Sequence, residues 1–419
     1  MDRRRLPNHW IIFSLVVLPF PVQAALATEP STNVNGTVSE IEGVRVLRVW
    51  GSPEERGYAH GFLLADTIVE LAESYLAHGP LGGSLERYEK EMLPKLGRMK
   101  IDPRHEAEMQ GVLAGLEAKR GGPAQIGFLG RPLRYEDVAA INCTGDFVRS
   151  GCSSFAAWGK LTKDGQTIAG RNMDWPVLPS MVKTPLVLVN AGSPGDDARG
   201  FVSITWPSFV GCITGMNAEG VTVATHDAGG RPATGTTGFT PYCWTFRLAL
   251  ESAGAETAIE DVIRIVRNET SMVGNNMMLT RPYGGRAPGG VVLEFDADRK
   301  LGKGVTTRMP EWDSPFVVCT NHFRDRTEPI ACQRYHQLQG GLSRLVKAEG
   351  KRHVTVDRAW KMLAGVSMDG VLTYHSVVFE PNKRLMHVAF AEQEKHASKC
   401  KHVTLDVTEL LAGDYPGGR

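Results

Sequence analysis

The feature that most constrains this chain is a pair of short apolar runs joined by a polar turn. Residues 154–158 and 166–170 have the composition of strands, and the turn between them predicts a β-hairpin. Gly151-Cys152 stands just before the first run, and Arg171-Asn172-Met173-Asp174-Trp175 follows the second. The hairpin would return the arginine and the aspartate to the end that carries the cysteine. The pattern therefore predicts a thiol, a guanidinium and a carboxylate that lie close together.

Cys152 has the chemistry of a nucleophile, because its thiol is the most nucleophilic side chain near neutral pH. Gly151 has no side chain, so its carbonyl can be approached closely. If the bond between them were cut, Cys152 would carry both a thiol and an α-amino group. Such an amine titrates near pH 8 and could serve as the general base. The alternative is a buried cysteine that only fills space, as free cysteines commonly do.

The run Gly-Cys-Ser-Ser-Phe-Ala-Ala-Trp-Gly from position 151, followed by Arg-Asn-Met-Asp-Trp, resembles the mature start of the N-terminal-nucleophile hydrolases. Within these it is most similar to the acyl-coenzyme A:6-aminopenicillanic acid acyltransferase-like family (peptidase family C45). Choloylglycine hydrolases and penicillin V acylases are more distant. The resemblance implies an α+β fold, a four-layer αββα sandwich of antiparallel sheets. It also implies self-cleavage before Cys152, with Arg171 and Asp174 as the supporting pair and no cofactor.

The resemblance also implies residues around the nucleophile. In the family an asparagine that precedes a strand donates its amide to the oxyanion, and Asn276 fits that register better than Asn275. A donor of this kind is typically worth about 10²–10³ in rate. The alternative for Asn276 is capping of a strand turn.

His226 and Asp227 come at a strand end that in relatives faces the substrate pocket. In choloylglycine hydrolases an asparagine is expected near this point. This sequence has none there, so the resemblance leaves open which group would make that oxyanion contact. Asn172 and Trp175 are further possible pocket residues. His322 is another, with a structural role as its alternative.

Composition and charge exclude little beyond nucleic-acid binding. Hydrophobic residues make up 42% and charged residues 22%, which is ordinary for a globular protein. The formal net charge of +1 provides no field that would attract nucleic acid or an anionic membrane.

The first 24 residues have the pattern of a signal peptide. Arg3-Arg4-Arg5 precedes an apolar core at 10–20, and Val22-Gln23-Ala24 is a small-residue cleavage site. The sequence thus predicts a secreted or periplasmic protein without stable membrane insertion. A retained membrane anchor is the alternative.

Two further segments follow from the patterning. Residues 25–151 are predicted to be a mainly helical pro-region that stays associated after cleavage, with helices that begin at Ser52-Pro53 and Asp102-Pro103. Residues 152–419 are predicted to be the catalytic αββα domain, which includes a helix that begins with a capping box at Thr257. His60 in the pro-region is interpreted as structural.

The chain has seven cysteines, and an odd number in an exported protein leaves at least one unpaired. A free Cys152 and up to three disulfides among the others fit this count. Cys319 and His322 have a Cys-x-x-His spacing, but no second pair of ligands follows, so no metal site is predicted.

Taken together, the sequence predicts an exported, self-processing hydrolase or acyltransferase that acts on a small N-acylated substrate through a thioester. Water is the expected acceptor, because coenzyme A esters are scarce outside the cell. One alternative is a lipid-directed amidase or phospholipase B-like enzyme of the same fold. The other is a non-catalytic scaffold that retains the fold.

Overall fold

The computed structural model describes residues 34–412, apart from 80, 82, 193–196, 232, 234, 236, 312–313, 349–352 and 369–371. The predicted signal peptide lies outside these residues. From Val34 onward the described chain forms one unit, with no division at Cys152. Within it, no helix is both long enough and apolar enough to cross a membrane.

Helices flank the sheets and also make up most of the segment that precedes Cys152. They are α1 Pro53–Leu63, α2 Ala65–His78, α3 Leu85–Arg87, α4 Pro103–Arg120, α5 Tyr135–Asn142, α6 Thr144–Phe147, α7 Pro179–Lys183, α8 Tyr242–Ser252, α9 Ala258–Asn268, α10 Gln333–Lys347, α11 Val356–Ala364 and α12 Val407–Ala412.

Strands alternate with these helices, and most of them belong to the segment from Gly151 onward. They are β1 Gly36–Ile41, β2 Val44–Val49, β3 Gln125–Ile126, β4 Arg131–Pro132, β5 Gly151–Ala157, β6 Ile168–Asp174, β7 Leu186–Asn190, β8 Phe201–Thr205, β9 Thr214–Asn217, β10 Thr222–Ala228, β11 Gly274–Thr280, β12 Gly290–Phe295, β13 Thr306–Arg308, β14 Phe316–Thr320, β15 Thr373–Glu380, β16 Leu385–Phe390 and β17 Val403–Asp406.

Two large sheets stack face to face between helical layers, so the predicted α+β sandwich of antiparallel sheets is confirmed. One sheet has nine strands in the order β1-β2-β7-β8-β9-β10-β11-β12-β13, and the other has six in the order β14-β5-β6-β15-β16-β17. Strands β10 and β11 of the first sheet contact β5 and β14 of the second. Helices α8 and α9 cover the first sheet, and α10 and α11 cover the second. All neighbouring strands are antiparallel except β2 and β7.

The central strands β6, β10, β11 and β15 are buried along their whole length. This follows from the architecture, because one face of each sheet meets the other sheet and the opposite face meets helices. Charged and amide side chains on these strands are therefore shielded from water. Their burial costs free energy unless hydrogen bonds within the protein replace those lost to water.

The segment before Cys152 is joined to the rest of the protein in two ways. Strand β2 pairs with β7, so the segment supplies two strands to the nine-stranded sheet, which the sequence analysis did not foresee. In addition, Glu108 on α4 accepts a hydrogen bond from Arg247 on α8 at 2.7 Å, and both side chains are buried. Breaking such a buried ion pair typically costs about 3–5 kcal/mol.

Helices α1 and α4 pack unusually closely through glycines. A Cβ atom on Gly61 would lie 1.9 Å from the carbonyl oxygen of Val112, and one on Gly115 would lie 2.0 Å from that of Tyr58. Only a residue without a side chain permits this approach. These glycines therefore fix the position of α1 against α4.

Two of the three helix starts that the sequence predicts have the expected side-chain cap. The predicted capping box at Ser52 is confirmed, since its hydroxyl accepts from the Glu55 nitrogen and the Glu55 carboxylate accepts from the Ser52 nitrogen. Asp102 likewise caps α4. The box predicted at Thr257 is wrong, because no side-chain cap forms there and the Thr257 hydroxyl donates to Asp261 instead.

None of the up to three disulfides that the cysteine count allows is present among the described residues. All seven cysteines lie within the described residues, and each is a free thiol. Six of them are buried, and the five other than Cys152 serve here as small apolar side chains.

Candidate active site

The β5–β6 hairpin places the nucleophile candidate beside its predicted partners. Antiparallel pairing sets Gly151 opposite Asp174, Cys152 opposite Met173 and Ser154 opposite Arg171. Because side chains alternate along a strand, Cys152 and Arg171 share the face that meets the other sheet. Cys152 is fully buried there.

The Cys152 sulfur has a cationic neighbour. Nη2 of Arg171 donates to Sγ at 3.6 Å, and Nη1 donates to the carbonyl oxygen of Thr225. Burial raises the pKa of the Cys152 thiol to about 11, whereas Arg171 opposes this rise without cancelling it. The thiol of the uncut chain is therefore mostly protonated at neutral pH.

Asn321, at the end of β14, holds the backbone on both sides of the Gly151–Cys152 bond. Its Oδ1 accepts from the Cys152 nitrogen at 2.7 Å, and its Nδ2 donates to the Ser150 carbonyl oxygen at 3.1 Å. The same Nδ2 donates to the carbonyl oxygen of Asp227 at 2.9 Å. Asn321 was not predicted from the sequence, although it directly precedes His322, which was.

Arg334 on α10 connects the other groups. Its Nη1 donates to the Cys152 carbonyl oxygen at 2.9 Å and to Asp174 Oδ2 at 3.0 Å, and its Nη2 donates to Asn321 Oδ1 at 2.9 Å. No local pattern marks this arginine, which lies 182 positions after Cys152. Sequence reasoning missed it for that reason.

Asp174 belongs to this network without contacting the Cys152 nitrogen directly. Its Oδ1 accepts from the Thr373 hydroxyl at 2.7 Å and its Oδ2 pairs with Arg334. Burial raises the pKa of Asp174 from its usual range. In the uncut chain Asn321 occupies the position expected of the aspartate, and the role of Asp174 in orienting a free amine stays a prediction.

Ser150 makes a second contact to the thiol and is itself hydrogen-bonded to Asp227. The Ser150 nitrogen and hydroxyl both donate to Asp227 Oδ2, at 2.5 and 2.8 Å, and the hydroxyl oxygen lies 3.9 Å from the Cys152 sulfur. Burial raises the pKa of Asp227 to about 6. Asp227 therefore lies next to the predicted cleavage site.

Asn276 faces the space between the sheets but already uses its amide. Its Nδ2 donates to the carbonyl oxygens of Thr320 at 2.9 Å and His322 at 3.0 Å, while its Oδ1 is buried without a hydrogen bond. An oxyanion contact would require Nδ2 to release one of these carbonyls. The predicted role of Asn276 stays a prediction.

The other predicted pocket residues have different surroundings. His226 faces β5 from the other sheet, where its Nε2 is 2.6 Å from the Ser154 hydroxyl. Asn172 points to the opposite face and donates to the Leu363 carbonyl oxygen at 2.8 Å. Trp175 is buried and stacks on Trp206. Of these residues, none contacts the sulfur of Cys152 through a hydrogen bond in the described structure.

A cavity of about 370 Å³ opens beside Ser150 and Asn321. Its walls combine polar groups with apolar Phe323 and Ile330, and Ile330 is among the large apolar side chains that are exposed. His322 also lines it, and burial lowers the pKa of that imidazole. The cavity is lined by Arg149, Ser150, Asp227, Gly229, Asn321, His322, Phe323, Thr327, Glu328 and Ile330.

His60 lies away from these groups, and its environment is structural. Its Nε2 accepts from the Ser208 nitrogen at 3.0 Å, and burial lowers the pKa of His60 to about 4. Among the described residues, no cluster of three or more His, Cys, Asp or Glu side chains is placed to hold a metal ion.

A protein-family model matches this chain. The family model described as acyl-coenzyme A:6-aminopenicillanic acid acyl-transferase matches residues 161–395, which is more than half of the chain. The match includes Arg171, Asp174, Asn321 and Arg334 and begins after Cys152.

Individual relatives are distant. An uncharacterized protein of Archaeoglobus fulgidus is 23% identical over 397 residues, which cover 88% of this chain and 62% of the relative. Protein dcd1B of Dictyostelium discoideum is 24% identical over 211 residues, covering 46% and 40%. This chain thus spans less than two thirds of either relative. A solved structure, the Caenorhabditis elegans ortholog of N-acylethanolamine-hydrolyzing acid amidase, has a TM-score of 0.42 at 19% identity, covering 55% of this chain and 93% of that one.

Proposed function

Because this chain belongs to the acyl-coenzyme A:6-aminopenicillanic acid acyl-transferase family, we propose that it is a self-processing hydrolase of amide-linked acyl groups. The observation that carries the proposal is the 3.6 Å contact between Arg171 Nη2 and the Cys152 sulfur. A cation at this distance favours the thiolate, which is the reactive form. The same cysteine presents its backbone nitrogen to Asn321, so the nucleophile and the future base are both held.

Self-cleavage comes first in this proposal. The Cys152 thiol attacks the Gly151 carbonyl, the peptide becomes a thioester, and water hydrolyses that thioester to leave Cys152 as a chain terminus. The free amine then remains near Asn321 Oδ1, which Arg334 holds from its other side. A positioned amine with a pKa near 8 suits a general base at neutral pH.

Turnover then uses the same residue twice. The Cys152 amine accepts the thiol proton while the sulfur attacks the carbonyl of an N-acyl substrate bound in the adjacent cavity. The amine part of the substrate leaves, and the acyl-thioester passes to water, or to a second amine if acyl transfer occurs. Asn276 remains the proposed oxyanion donor, and no metal or organic cofactor enters these steps.

The segment before Cys152 is proposed to remain bound after cleavage. The pairing of β2 with β7 and the buried Glu108–Arg247 ion pair both cross the cut, which supports this proposal. We propose in addition that residues 1–24 direct export and are removed.

Intact-mass analysis of the purified protein tests the proposal. We expect a fragment that begins at Cys152, co-eluting with its partner fragment, and a single uncut chain for Cys152→Ala. The cleaved protein should hydrolyse at least one member of a panel of penicillins, bile-salt conjugates, N-acyl amino acids and N-acyl homoserine lactones. A wild-type chain that stays uncut and inert to the panel and to thiol reagents would instead indicate a scaffold.

A further inference from the structure

Self-cleavage of the chain needs a proton acceptor other than the α-amine that is proposed to act in turnover. Before the cut, the Cys152 nitrogen belongs to a peptide bond and cannot act as a base. Burial holds the Cys152 thiol largely protonated at neutral pH. Another group must therefore take the thiol proton when the chain cleaves itself.

Ser150 and Asp227 are placed for this task. The Ser150 hydroxyl donates to Asp227 Oδ2 at 2.8 Å, and an ionised carboxylate can only accept. The hydrogen of Ser150 therefore points to Asp227, so the contact of 3.9 Å between Ser150 Oγ and Cys152 Sγ leaves the thiol as donor. The Ser150 nitrogen also donates to the same carboxylate oxygen, which fixes the orientation of the residue.

We propose that Ser150 and Asp227 relay the thiol proton of Cys152 during self-cleavage. The inference rests on the proposed function and assigns a residue of the pro-region a part in the cleavage that separates it from Cys152. As the sulfur bonds to the Gly151 carbonyl carbon, the thiol proton passes to Ser150 Oγ and the Ser150 proton passes to Asp227.

The remaining steps balance without any further reactant except water. When the bond between the Gly151 carbonyl carbon and the Cys152 nitrogen breaks, the proton held by Asp227 is returned to that nitrogen. Water then adds to the thioester, the carbon–sulfur bond breaks, and a Gly151 carboxylate, a free Cys152 thiol and one proton result.

The charged groups around Asp227 fit a proton acceptor near neutral pH. Arg149 and Arg171 favour its ionised form, but burial outweighs them and raises the pKa of Asp227 to about 6. Asp146 on α6 and Tyr242 on α8 also face it, and burial raises the pKa of both well above their ordinary values, which disfavours their charged forms. Asn275 on β11 completes the surroundings with a 3.5 Å contact to Oδ1.

The test measures the rate at which full-length chain from cell-free synthesis yields the fragment that begins at Cys152. We expect Ser150→Ala to cleave about 10²-fold more slowly at pH 7, the lower end of general acid–base effects. Ser150→Thr keeps the hydroxyl and should stay within about tenfold of wild type. Ser153→Ala is the matched control, because the Ser153 hydroxyl is buried without a partner and follows Cys152 directly.

The pH profile separates a relay from a structural role. The wild-type cleavage rate should rise up to about pH 6 and then level, because Asp227 accepts a proton only when ionised. Ser150→Ala and Asp227→Asn should both lose this inflection. If Ser150→Ala, folded as judged by circular dichroism, cleaves at the wild-type rate with the inflection intact, the relay is wrong and self-cleavage stands. If the wild-type chain does not cleave at any pH, the proposed function fails as well.

Discussion

Replacing Gly115 by alanine should loosen the contact between α1 and α4. The added Cβ would lie 2.0 Å from the Tyr58 carbonyl oxygen and 2.8 Å from the Phe62 nitrogen, and both of these are backbone atoms that no rotamer change can move. Ordinary contact requires about 3.5 Å, so the helices would have to separate by about 1.5 Å. Overpacking costs up to about 3 kcal/mol, and alanine regains about 1 kcal/mol of helix propensity. The expected net loss is therefore about 2 kcal/mol in the free energy of unfolding.

Calorimetry of the Cys152→Ala chain, which keeps the protein as one covalent piece, provides the measurement. Gly341→Ala is the matched control, since Gly341 also lies inside a helix and a Cβ there would meet nothing within 4 Å. Gly115→Ala should lower the melting temperature by roughly 2–3 °C, whereas Gly341→Ala should leave it unchanged or raise it. If the two substitutions shift it in the same direction by the same amount, the close packing does not control stability.

Three further results are expected. Arg334→Lys keeps the charge but cannot reach three acceptors at once, so the rate of fragment formation should fall by about 10²-fold while the melting temperature changes little. Glu108→Gln leaves two arginines without their buried partner and should lower the free energy of unfolding by about 3 kcal/mol, as followed by urea denaturation; the exposed Glu86→Gln should change it by less than about 1 kcal/mol. Thr373→Val removes a 2.7 Å hydrogen bond to buried Asp174 and should cost about 1–3 kcal/mol, whereas Thr373→Ser should not.

Local chemistry explains which parts of the fold could be predicted. Ser52 and Asp102 bond to the backbone within three residues, so their helices are recognisable from sequence alone. The strand β2 was missed because its partner β7 lies about 140 positions away and supplies the pairing that makes it a strand. At Thr257 the local pattern predicted a helix cap that does not form, because the hydroxyl donates to nearby Asp261 and accepts no hydrogen bond from the helix backbone.

In the candidate site, too, the residues that are close in sequence could be predicted and the distant ones could not. Cys152, Arg171 and Asp174 lie on one hairpin, so spacing alone predicts that they are neighbours. Asn321 and Arg334 reach the same place from a strand and a helix of the late chain, and only the stacking of layers brings them there. The cysteine count left the disulfides open for a related reason, because a number of thiols says nothing about which ones approach each other.

The strand pairing between β2 and β7 has a consequence for recovery after denaturation. An uncut chain regains this pairing by an intramolecular search, whereas two separate polypeptides must first meet in solution. If the chain cleaves as proposed, refolding of the two fragments should depend on their concentration. Dilution after heating should then leave them unfolded, whereas the uncut Cys152→Ala chain should refold. Cleavage would in that way convert a protein that unfolds reversibly into one whose fold is lost once its two fragments separate.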